Sequence, residues 1–261
     1  MKLPALIAAV VIPATAAFLL VGRGHDRAVV ARGAGDGVLG ALRASVPLPD
    51  VHLDPPPSRV KGPSFPIATV SPGHRIELRS SPGGRVIERV GDRTEFGSMR
   101  VFWIKRVRGA WFGVPSEDLP NGQLAWIRDD RTELDISQTH FWIDADVSRQ
   151  LLELHYGDRV LDRFPVTVGS PSSPTPLGDY TVTDGLVGRG LGPWYGCCVL
   201  ALSGHQPNLP SRWIGGNRMA IHGTPGSIGG ATSNGCLRAS DPDMISLFAR
   251  VPLGAPVFIH A

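Results

Sequence analysis

The chain has 261 residues, long enough for one large or two modest domains whose cores need no staples, and its formal charge of +3 is spread without basic runs. A charged fraction of 19% with no clustering excludes a nucleic-acid footprint. Glycine (32) and proline (24) are abundant, which suits many short strands joined by turns and predicts a mainly β protein.

Met1-Lys2 is followed by an uncharged apolar run from Leu3 to Gly22, about the length of a bilayer-crossing helix. Residues 1–22 read as a signal anchor or a cleavable signal peptide. Ala14-Thr15-Ala16 offers a small-x-small site, but the apolar run continues through Phe18 to Val21, which favours the uncleaved anchor. Either reading puts the bulk of the chain outside the cytoplasm, in the cell wall or periplasm, with the membrane as a partner of the N-terminal segment. Residues 23–66 pass into the proline-rich "PLPDVHLDPPPSRVKGPSFP", an extended tether, with a short helix predicted from Ala28 to Leu42.

Residues 67–130 show short apolar runs cut by turn signals such as "SPGG", five or six strands in about sixty residues, as in a small barrel. "LRSSPGG", the "VFWIKRVRGAW" hairpin and the closing "GQLAWI" resemble the bacterial SH3-like domain, which implies a spacer or docking module. Trp103, Trp111 and Trp126 fit a ligand shelf or, as is commoner for aromatic residues in so small a barrel, its core.

From residue 139 to 261 the strand pattern becomes regular. "HFWIDADVSRQLLELHYGDRVLDRFPVTVG" holds three strands, with turns at Asp144–Ser148 and at Gly157-Asp158. Prolines 171, 174 and 176 forbid a central ladder, and a new strand starts near Gly178. Gly185 to Gly216 reads as strand plus a long excursion, the kind of segment that serves as a lid or binding loop, and it carries Trp194, Tyr195, His205 and Trp213. "DPDMISLFARV" is the one clear helix, with Asp241 as N-cap and Pro242 in the first turn, and "APVFIH" is the last strand.

Three cysteines in an exported chain leave at least one thiol free. Adjacent Cys197 and Cys198 read as small buried hydrophobes, since neighbours on a strand alternate in direction. No Cys-x-x-Cys or His-x-x-x-His pair supports a zinc site, so no metal or cofactor is expected. Cys236 lies fourteen residues after His222, with Gly223, Gly226, Gly229, Gly230 and Gly235 free to fold the intervening chain back. A thiolate beside an imidazole that holds its proton is the minimum for nucleophilic catalysis. The backbone N–H groups of Asn234, Gly235 and Cys236 would serve as an oxyanion hole.

"IHGT…SNGCLR", with "SPTPLGDY" upstream, resembles the catalytic signature of the L,D-transpeptidases of the YkuD type over residues 139 to 260. The resemblance implies a β-sandwich enzyme that cross-links peptidoglycan stem peptides outside the membrane and is acylated by carbapenem β-lactams. It makes Cys236 the nucleophile, His222 the base and the Gly223 carbonyl the group that orients the imidazole. Ser233, Arg238 and Thr224 match the polar residues of the motif and, with Trp194 and Tyr195 of the excursion, are expected to hold substrate. Asn234 stands where the family most often has histidine. An L,D-carboxypeptidase or cysteine peptidase acting on wall peptides, or a non-catalytic wall-binding protein, are the alternatives.

Overall fold

The computed structural model describes residues 60–261. The apolar segment of residues 1–22, the helix expected from Ala28 to Leu42 and most of the tether lie outside the described residues.

Eight short strands come first: β1 (Phe65–Val70), β2 (Arg75–Arg79), β3 (Val86–Gly91), β4 (Val101–Trp103), β5 (Arg106–Arg108), β6 (Trp111–Val114), β7 (Ala125–Arg128) and β8 (Leu134–Thr139). They form a three-stranded sheet in the order β4-β1-β8 and a five-stranded sheet in the order β3-β2-β7-β6-β5. Alternation drives the packing: in β2, Ile76 and Leu78 turn inward while Arg75, Glu77 and Arg79 face out. Those two residues join Ala68, Val70, Phe102, Phe112 and Ile127 in one core.

The stretch expected to be a single Trp103–Trp111 hairpin is divided between the sheets. β4 pairs with β1, and the hairpin proper is β5–β6, closed at Arg108↔Trp111. Trp103 is buried against Phe258 of the following domain at 5.5 Å between ring centroids, edge to face, and Phe65 and Trp142 complete the cluster. This indole therefore belongs to the core between the two parts of the chain.

The remaining strands are β9 (Phe141–Asp146), β10 (Leu151–Tyr156), β11 (Arg159–Pro165), β12 (Val168–Gly169), β13 (Gly178–Val187), β14 (Cys198–His205), β15 (Arg218–Gly223), β16 (Ala231–Ser233), β17 (Leu237–Ala239) and β18 (Pro256–His260), with helix α1 (Asp241–Arg250) before the last. The main sheet runs β11-β10-β9-β18-β13-β14-β15-β17, and β12 pairs with β16. β13 joins two halves of this sheet, pairing with β18 through Gly178–Thr181 and with β14 from Val182 to Val187, with a bulge between Val182 and Asp184. The core runs from Ile143 and Leu154 through Leu200 and Ile221 to Leu247 and Phe248 of α1.

Three local expectations change. The excursion from Gly185 to Gly216 is interrupted by β14, every residue of which is buried except His205 at its end, leaving two shorter segments on either side. A strand covered on both faces shows no alternation, so its glycine-rich flanks masked it. The N-cap of α1 is Ser240, whose hydroxyl accepts from the Asp243 N–H at 3.3 Å, and Asp241 is the first helical residue. Cys198 is buried in the core and Cys197 packs against it, as expected of small hydrophobes, but the two are joined to each other as a disulfide.

Candidate active site

His222 and Cys236 reach one place through sheet register. β15 and β17 run parallel, with Ile221 opposite Leu237 and His222 opposite Arg238. Ile221 and Leu237 enter the core, so the pleat turns His222 and Arg238 to the other face. Cys236, one residue before β17, lies on that same face, and its thiol is hydrogen-bonded at the Ala220 backbone. Cys236 is also the one free cysteine.

His222 is buried, and its Nδ1 lies 2.6 Å from the Gly223 carbonyl oxygen. A carbonyl only accepts, so Nδ1 carries the proton of the neutral ring and Nε2 keeps its lone pair. Asp241 supports this arrangement from behind. Its Oδ1 accepts from the Cys197 N–H at 3.0 Å and lies 2.2 Å from where a Cβ on Gly223 would stand. Only glycine at 223 lets that carboxylate approach the backbone so closely.

The electrostatics differ from the expected thiolate. Burial pushes the His222 pKa down to about 4, helped by the Arg238 charge and opposed by the Gly223 hydrogen bond and Asp241. Burial also pushes the Cys236 thiol up, against the Ala220 hydrogen bond and Arg238. Both shifts favour a neutral resting pair, because an enclosed site penalises each charged form.

The loop that carries Cys236 is held from inside. Ser233 is fully buried, its hydroxyl donates to the Cys236 carbonyl at 2.6 Å and accepts the Gly235 N–H at 3.0 Å. Ser233 is therefore a loop staple and not the substrate contact expected of it. The Gly235 N–H is committed to that hydroxyl, so it drops out of the expected oxyanion hole and Asn234 and Cys236 remain for that role. Thr224 accepts from the Gly226 N–H at 3.2 Å and lies outside the pocket wall.

Cys236, His222, Asn234 and Arg238 line one cavity of about 210 Å³ whose wall includes Trp194 and Tyr195. The Tyr195 ring sits 5.0 Å from the His222 ring, whereas Trp194 is 75% exposed at the rim. The structure thus brings together a thiol, a base with a free lone pair and a guanidinium in a mostly apolar recess, the equipment for acyl transfer through a thioester.

The sequence profile of the YkuD L,D-transpeptidase catalytic domain matches residues 140–259. Residues 140–259 are a YkuD L,D-transpeptidase catalytic domain. The YkuD protein of Bacillus subtilis is 32% identical over 122 residues, a stretch covering 46% of this chain and 66% of that relative, just under two thirds of its length. The L,D-transpeptidase of Mycobacterium smegmatis matches at 21% identity with a TM-score of 0.38, over 60% of this chain and 80% of that one. L,D-transpeptidase 3 of Mycobacterium tuberculosis, solved with a faropenem-derived adduct, matches at 17% identity with a TM-score of 0.35, over 53% of this chain and 73% of that one.

The YkuD domain also places in the pocket wall residues that no motif marks. Gln206, Asn217 and Arg218 all line the cavity. They come from the end of β14 and the start of β15, strands that become neighbours only when the sheet assembles, so nothing in their spacing announces them. Trp213, in the segment between those strands, joins them in the wall.

Proposed function

We propose that this protein is a peptidoglycan L,D-transpeptidase that forms 3→3 cross-links through a Cys236 thioester. The observation that carries it is the dyad: a free thiol and a buried imidazole on one sheet face, with Nδ1 tied to the Gly223 carbonyl and Nε2 left as base.

The neutral pair sets the order of events. His222 Nε2 takes the thiol proton as Sγ attacks the carbonyl between the third residue of a donor tetrapeptide and its terminal D-alanine. The tetrahedral oxyanion is received by backbone donors at Asn234 and Cys236. Collapse expels D-alanine, whose amine takes the proton back from His222, and leaves the thioester. The side-chain amine of an acceptor stem then attacks the thioester, His222 again holding the proton until the thiol re-forms. Arg238, opposite His222 in the β15–β17 register and in the cavity wall with Arg218, pairs with stem carboxylates. Tyr195 covers the imidazole and Trp194 forms the rim that the stem crosses.

The extracytoplasmic location, the N-terminal membrane tether and the SH3-like character of residues 67–130 belong to the same proposal. So does acylation of Cys236 by a carbapenem. The test is incubation of the purified chain with disaccharide-tetrapeptide, read by mass spectrometry. Cross-linked dimer with released D-alanine supports the proposal; D-alanine and tripeptide without dimer indicate a carboxypeptidase. Neither product from a folded chain refutes it.

A further inference from the structure

His205, the last residue of β14, faces the N-terminal domain. The Asn121 side chain holds its backbone twice, Nδ2 donating to the His205 carbonyl at 2.7 Å and Oδ1 accepting the His205 N–H at 2.8 Å, as a neighbouring strand would. The imidazole is pinned at both nitrogens, Nε2 donating to the Glu117 carbonyl at 2.7 Å and Nδ1 lying 3.0 Å from the Asn217 side-chain amide. Glu117 is fixed in turn by Arg100 at 2.5 Å, both side chains more than nine-tenths buried.

What His205 touches next is the acyl site. Asn217 lines the cavity that holds Cys236 and His222. Gln206, the following residue, donates its N–H to the Asn217 carbonyl at 2.7 Å and anchors its carboxamide on the Pro174 carbonyl at 2.8 Å. That carboxamide presses on the nucleophile loop: a Cβ on Gly235 would stand 1.9 Å from Gln206 Nε2. An unbroken set of contacts therefore runs from Asn121 and Glu117 to the residue before the nucleophile.

We propose that the N-terminal domain is a working part of the acyl site, with Asn121 acting through His205 as a positioning residue for the Asn217 and Gln206 wall that receives the stem peptide. The inference rests on the transpeptidase proposal. It assigns the N-terminal domain a role in substrate affinity in place of a spacer's.

The test is a double-mutant cycle on the full chain with the tetrapeptide donor, comparing wild type, Asn121→Ala, Asn217→Ala and the pair. Asn121→Ala is expected to raise KM about tenfold, with kcat within about a factor of two, and to add nothing further in the Asn217→Ala background. The rate at which iodoacetamide alkylates Cys236, which needs no peptide wall, stays at the wild-type value. Asn121→Asp, which keeps the acceptor for the His205 N–H and loses the donor, falls between wild type and Asn121→Ala. An unchanged KM in Asn121→Ala overturns the proposal, as do effects that multiply in the double variant or an alkylation rate that falls with kcat. Wild type that neither turns over tetrapeptide nor forms a carbapenem adduct removes the transpeptidase proposal, and this inference with it.

Discussion

The proposed chemistry rests on Cys236, and its neighbours decide how it would act. Because the dyad rests neutral, Cys236→Ala should abolish the carbapenem adduct while leaving Cys197–Cys198 untouched, and intact-mass analysis reads both at once. Because burial favours uncharged imidazole, His222 stays a competent base far below the 6.5 of a free side chain. The acidic limb of the acylation rate is expected near pH 4, and a limb near 6.5 would contradict the buried dyad. The sign for stability follows. Between pH 6.5 and about 4 the unfolded chain binds a proton at His222 that the folded chain refuses, so stability falls as pH falls through that window. The full span corresponds to about 3 kcal/mol, and His222→Asn should flatten it in urea titrations at pH 7.5 and 4.5.

At the scale of the element, short structures are held by side chains that the hydrophobic pattern does not reveal. The loop before β17 turns at Gly235, which has a φ of +110° and no room for a Cβ against Gln206. Gly235→Ala is expected to cost about 2 kcal/mol and to slow Cys236 acylation as well, by moving the nucleophile; unfolding curves and adduct kinetics read the two losses separately. Helix α1 begins where Ser240 accepts from the Asp243 N–H and donates to its carboxylate at 2.5 Å. Ser240→Ala should cost about 1 kcal/mol in denaturant titrations, whereas an Asp241 N-cap would have made that variant silent. Asp, Pro and Ser all favour helix starts, and the choice among them is made by backbone geometry: Ser240 is extended at φ −63°, ψ 153°.

Across the whole molecule, the two parts of the chain share a polar seam. Asp184 is fully buried, accepts from the Thr94 hydroxyl of the first domain and faces Arg218 Nη2 at 3.8 Å, while Arg218 Nη1 reaches Glu95 at 2.6 Å. The carboxyl pKa is held above its ordinary value, chiefly by burial, against the Thr94 and Thr183 hydrogen bonds and Arg218. Removing the guanidinium leaves a buried carboxylate without its counter-charge, so Arg218→Met should destabilise by about 3 kcal/mol. The pair Arg218→Met/Asp184→Leu should recover most of that loss, and equal unfolding midpoints for the two variants would contradict the coupling. Lys105 with Asp179, at 2.5 Å, and the ring cluster around Trp103 close the seam elsewhere.

The sequence by itself determined the β class, a free thiol and, through the family resemblance of its motif, the pairing of His222 with Cys236 and the Gly223 carbonyl that steadies the imidazole. Each is written within a short span or a motif, where residue type and spacing limit what the backbone can do. Tertiary structure alone decided the protonation of the dyad, the staple role of Ser233, the loss of the Gly235 donor and the wall of Gln206, Asn217 and Arg218. Those depend on burial and on strands distant along the chain, and neither desolvation nor a cross-domain hydrogen bond leaves a periodic trace in the residues that make it.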